Sequence, residues 1–97
     1  MPTLEETRLK KLEKSFKAKL IKALDAILYD ISANVEVKES TLLRATHSAE
    51  ALVKVYELEG EKRKKKTLQM LLTRLTAKDM ERFADKLEDM LDLIKGF

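Results

Sequence analysis

The stretch "TLEETRLKKLEKSFKAKLIKALDAILYDI", residues 3–31, opens with Thr3 and Glu6 in the T-x-x-E spacing of a helix capping box, with Pro2 just before it. Apolar residues then recur at Leu9, Leu12, Phe16, Leu20, Leu24, Ile27 and Ile31. The mean step is about 3.67 residues, the period of a straight α-helix rather than the 3.5 of a long left-handed coiled coil. One helix roughly 40 Å long is expected, with Arg8, Lys10, Lys11, Lys14, Lys17 and Lys22 mostly on its outer side. From Leu20 onward the helix is apolar almost all round, because Ile21, Leu28 and Tyr29 lie off the main stripe. Left exposed, these three would form a contiguous apolar patch, so they are expected at a helix–helix or subunit contact.

Beyond this helix, Asn34 suits a left-handed turn, and Val35-Glu36-Val37 is too short for a useful strand, so a connection is expected. A second helix should begin near Ser40 or Thr41, with Leu42, Ala45, Ala49, Leu52 or Val53, and Tyr56 on its inner face. Gly60 permits a break but does not compel one, since a glycine inside a helix costs only ~1 kcal/mol. Thr67 is a candidate cap for a short helix carrying Leu68, Leu71, Leu72 and Leu75. Thr76-Ala77-Lys78-Asp79 resembles a second capping box, with Leu75 and Met80 placed as its hydrophobic staple. A last helix should bury Met80, Phe83, Leu87, Leu91 and Ile94, end at Lys95 and Gly96, and let Phe97 fold back against it.

Ninety-seven residues make one small domain, 1–97, of the size at which good packing or a partner is needed for stability. The absence of cysteine excludes disulfides, thiolate zinc sites and a cysteine nucleophile, and a single histidine, His47, excludes a multi-histidine site within one chain. His47 falls on the outer face of the second helix. No apolar run approaches the ~20 residues of a membrane span and residues 3–19 are too charged for a signal peptide, so a cytoplasmic location is expected. Neither phosphate-loop motif occurs, and Ser48, Lys54 and Tyr56 offer no nucleophile with an orienting base, so no enzyme activity, cofactor or metal is expected.

The net charge of +3 conceals a segmental pattern. Residues 60–78 hold seven basic groups against one acid, whereas 79–97 hold six acids against three basic groups. The run Lys62, Arg63, Lys64, Lys65, Lys66 cannot share one helix face, since successive residues turn by about 100°; it suits an exposed turn or helix end reaching for nucleic-acid phosphates. With Phe16, Tyr56 and Phe83 on core stripes, such binding would be salt-sensitive and indifferent to base sequence. On the last helix Glu81, Asp85, Glu88, Asp89 and Asp92 form an acidic outer face that repels itself and suits a basic partner surface. Of these, Glu81, Asp85, Glu88 and Asp92 are the candidate partner-binding residues.

The run "STLLRATHSAEALVKVYELEGEKRKKK", Ser40–Lys66, resembles the amphipathic, basic-ended helical hairpin in the oligomerisation region of phage small terminase subunits, over about a quarter of the chain. That resemblance implies a small, helical, ring-forming, non-enzymatic protein that helps a large motor subunit engage viral DNA. No separate helix-turn-helix precedes the hairpin here. The sequence as a whole reads as an all-α protein, a long helical hairpin or a small bundle of three to four helices. The function expected is that of a homo-oligomerising interaction module with a basic surface, possible nucleic acid binding, and no membrane contact. The alternative is a monomeric adaptor or regulator that docks a protein partner through its acidic C-terminal helix.

Overall fold

The computed structural model describes residues 3–77 and 79–97, so Met1, Pro2 and the Lys78 of the expected second capping box lie outside the described residues. The protein is a small all-α bundle of α1 (Leu4–Ser32), α2 (Glu39–Glu59), α3 (Lys62–Leu75) and α4 (Ala84–Lys95), with a 3₁₀ turn, Met80–Phe83, leading into α4. No strand occurs among the described residues. The bundle measures 49 × 20 × 19 Å, and its long dimension follows α1.

Helix α1 begins as the sequence predicts. The Thr3 hydroxyl accepts from the Glu6 amide while the Glu6 carboxylate accepts from the Thr3 amide, closing the capping box. At the other end Asn34 takes a left-handed φ of 57°, which turns the chain into the extended connection before α2. Helix α2 then runs back along α1, so that Glu59 reaches Lys10. Gly60 breaks the chain at φ 76°, and α3 starts two residues later. Helix α4 closes the bundle, with Lys95 beside Asp25 of α1 and Phe97 edge-on to Tyr56 of α2, ring centroids 6.0 Å apart.

One core serves all four helices: Leu20, Leu24 and Ile27 from α1, Ala45, Ala49, Leu52 and Tyr56 from α2, Leu68 and Leu71 from α3, and Leu87 and Ile94 from α4 are fully buried. The alanines of α2 let its neighbours approach closely. Ile21 and Leu28 pack partly buried against this core, whereas Tyr29 is 72% exposed. Arg74 stacks 4.5 Å over the Phe83 ring and ties the end of α3 to the 3₁₀ turn.

Four sequence expectations are corrected. Leu12 is 40% exposed and Glu13 takes the inward position instead. At about 100° per residue, Glu13 lies within 20° of the Leu20 direction and Leu12 some 80° away. Thr67 caps nothing: it sits inside α3 and its hydroxyl donates to the Arg63 carbonyl. Thr76 ends α3 rather than starting a helix, donating to the carbonyls of Leu72 and Thr73, and Asp79 makes no cap hydrogen bond but lies 3.9 Å from Arg82. Gly96 has a right-handed φ of −82°, so α4 does not end in a glycine-specific turn.

The two glycines therefore differ in what they tolerate. A Cβ at Gly60 meets nothing within 4 Å, yet its φ is left-handed, so Gly60→Ala should destabilise the protein by about 1–2 kcal/mol from backbone strain alone. Gly96→Ala should be neutral within about 0.5 kcal/mol. Urea denaturation of the two variants checks the difference; equal effects would contradict it.

Candidate functional site

The basic run occupies the first turns of α3, and the helix sorts its five side chains by direction. Lys64 lies four residues before Leu68 and seven before Leu71, so it faces inward with them. Its ammonium sits 5.5 Å from the Tyr56 ring centre and 5.7 Å from that of Phe97, and it points a 3.4 Å hydrogen bond at the Phe97 carbonyl. Lys65 turns toward α2 and lies 3.5 Å from the Glu57 carboxylate. Lys62, Arg63 and Lys66 are exposed and pair with no carboxylate among the described residues.

These three cations stand at an unfavourable place in the helix. The N-terminal turn of an α-helix is its positive pole and favours anions by about 0.3–1 kcal/mol each. The first turn of α3 carries no acid, and Glu61 at its N-cap supplies no side-chain acceptor to the free amides. The Lys62 amide donates to the Gly60 carbonyl, so the amides that follow it are the backbone donors left beside these cations. On α1, Arg8, Lys11, Lys14 and Lys22 are also exposed, while Lys17 is half-buried.

Sequence reasoning missed a second constellation, where α2 ends against α1. Glu13 is buried, Glu59 is nearly so, and Lys10 bridges them from solvent at 3.4 and 3.7 Å. The Tyr56 hydroxyl and Glu59 Oε1 are shut off from solvent and make no hydrogen bond within the described residues. Burial first, then the Glu13 charge, raises the Glu59 carboxyl above its usual range, while Lys10 pulls it back. Burial and the two carboxylates hold the Tyr56 phenol well above its ordinary value. Helical spacing carried this signal: Glu13 is four residues after Leu9, and Glu59 is three after Tyr56. The group gathers two near-buried carboxylates under a lysine, and its innermost atoms are out of a substrate's reach.

Comparison with protein-family models, with curated proteins and with solved structures finds no match to this chain. Its sites are therefore read from geometry alone.

The acidic residues Glu81, Asp85, Glu88, Asp89 and Asp92 are all exposed on the outer side of the 3₁₀ turn and α4. Glu88 and Asp92 rim a groove of about 490 Å³ between α4 and the C-terminal half of α1, and Leu28 and Tyr29 also line it. Ile21 is not part of that lining. His47 is exposed, and no cluster of three or more metal-ligating side chains occurs among the described residues.

Because the folded-state affinity of Glu59 for its proton exceeds the unfolded one, the stability it contributes is complete below about pH 4.5 and is lost as pH rises through the raised value. Glu59→Gln should remove that loss. The stability difference between variant and wild type, from urea melts, should be small at pH 4.5 and grow in the variant's favour toward pH 7. A difference that is flat across this range would show that the Glu13–Glu59 pair is not strained.

Proposed function

We propose that this chain is a non-enzymatic, self-associating helical module that engages a polyanion, with the phosphate backbone of nucleic acid as the ligand class. The observation that carries this reading is the set Lys62, Arg63 and Lys66: unpaired cations placed against the dipole at the N-terminal turn of a helix. An anion in front of this turn would meet side-chain cations and free backbone amides together. Lys64 and Lys65 contribute differently, by holding the turn against Tyr56, Phe97 and Glu57.

The aromatic residues support phosphate contact rather than base stacking. Tyr56 is fully buried, Phe16, Phe83 and Phe97 are partly buried, and the exposed Tyr29 lies on the α1/α4 groove, away from the basic turn. Assistance to a larger DNA motor, as the likeness to small terminase subunits implies, is the biological setting this proposal favours. The alternative of a monomeric adaptor draws support from the exposed Glu81, Asp85, Glu88 and Asp92. Mass measured over a concentration series separates it from the self-associating module.

Three free cations at this turn set a shallower salt dependence than the full run of five. Log affinity for a DNA duplex should fall with log salt at a slope of about −2.7, at 0.9 per phosphate contacted. The combined change of Lys62, Arg63 and Lys66 to Gln should abolish that slope and leave helicity intact. Lys64→Gln should instead lower stability and flatten the slope only slightly. No duplex binding at low salt, or a slope unchanged in the triple variant, would refute the polyanion reading.

A further inference from the structure

The N-terminal half of α1 carries an exposed outward face, bordered at Lys19 by a hollow shared with the start of α2. Leu4, Arg8, Lys11, Leu12, Ser15 and Lys19 recur at three- and four-residue steps, so they share a sector of roughly 100° on the side away from the core. All six are exposed, with Leu4 at 91%. Arg8, Lys11 and Lys19 pair with no carboxylate among the described residues. Two leucines interleaved with Arg8, Lys11 and Lys19, the last with its ammonium 5.6 Å from the Phe16 ring centre, make a basic amphipathic helix face.

The groove between α1 and α4 has the opposite character. Leu28, Ile31 and Leu91 supply its apolar lining, Tyr29 stands exposed along it, and Glu88 and Asp92 rim it. Lys95 lies 3.9 Å from Asp25 at one end, whereas Glu88 and Asp92 have no cationic partner among the described residues. Asp85 continues the same acidic face toward the start of α4. An apolar lining edged by free carboxylates complements leucines flanked by free cations.

Resting on the self-association reading above, we propose that these two surfaces dock between copies: the outer face of residues 4–19 of one copy lies in the α1/α4 groove of the next. A second copy is the occupant because the matching halves belong to one chain and cannot meet within it. Both lie on α1, a single continuous helix from Leu4 to Ser32, so the N-terminal half cannot bend back onto its own groove. The contact joins two different patches and is therefore heterologous, able to propagate beyond a dimer. Burial of Leu4, Leu12 and Tyr29 supplies the attraction, and the charges fix which faces meet.

Light scattering with sedimentation, on full-length protein free of nucleic acid, tests this. The wild-type mass should rise with concentration past twice the monomer and fall back in high salt. An arm variant, Leu4→Asp with Leu12→Asp, and a groove variant, Glu88→Lys with Asp92→Lys, change only exposed residues and should each be monomeric. Mixed in equal amounts they should form a dimer and nothing larger, since one intact arm meets one intact groove. Arg8→Glu with Lys11→Glu gives a charge-only arm variant. Adding the groove reversal to that same chain should restore assembly. A wild type that stays monomeric at every concentration overturns both self-association and this interface. Assembly that survives in either variant, or variants that do not complement in the mixture, overturns the interface alone and leaves self-association standing.

Discussion

Helix α1 outruns its cover. It has 29 residues, against 21 in the α2 that packs along it, so one end of α1 projects beyond the shared core. The connection through Asn34 fixes which end, because it joins the C-terminus of α1 to the start of α2. Leu4 through Arg8 are therefore exposed, with only Glu6 and Thr7 of that turn lining a hollow against the end of α2. The capping box at Thr3 matters more here than it would on a packed helix, since the projecting turns have little tertiary support.

The place where the cover ends is also where the buried acids lie. Glu13 continues the core stripe of α1 past its last apolar layer, and Glu59 does the same for α2, so the two carboxylates meet at the rim with Tyr56 beneath them. A leucine at either position would extend the core. Instead the rim holds two adjacent carboxylates compensated chiefly by the exposed Lys10, with a weaker pull on Glu59 from Lys64, and ion pairs made from solvent return little. The chain thus forgoes stability at the junction between bundle and projecting helix. Whatever displaces Lys10 or protonates Glu59 changes how firmly that junction is held.

Much of this architecture was legible in the sequence, and the failures share a cause. The length of α1, its capping box, the left-handed Asn34 and the inner face of α2 all follow from local spacing and side-chain chemistry. Leu12 was misplaced because hydrophobicity outweighed phase: Glu13 fits the helical direction better, and only the presence of Glu59 and Tyr56 across the gap makes its burial tolerable. Thr67 and Thr76 look like caps by composition, yet a threonine inside a helix or at its end satisfies its hydroxyl on a preceding carbonyl equally well. Those alternatives differ only in tertiary context. The basic run shows the same limit, since its exposure was readable from charge alone, but the inward turn of Lys64 depends on two aromatic rings from α2 and the C-terminus.

The charged surfaces complete the logic of the fold. A bundle whose helices merely kept it dissolved would intersperse both signs, so that each cation found a neighbouring acid at i+3 or i+4. Here the signs are segregated: free cations on α1 and at the start of α3, free carboxylates along α4, and only a few ion pairs joining helix to helix among the described residues. Like charges on one face repel, and the repulsion is relieved only by something of opposite sign brought from outside the protomer. For the start of α3 that something is a polyanion in our reading, because exposed cations stand there beside the positive end of a helix. For α4 it is, in the interface we propose, the basic face of α1 on another copy, because the apolar groove beside the acids would give that face somewhere to bury its leucines.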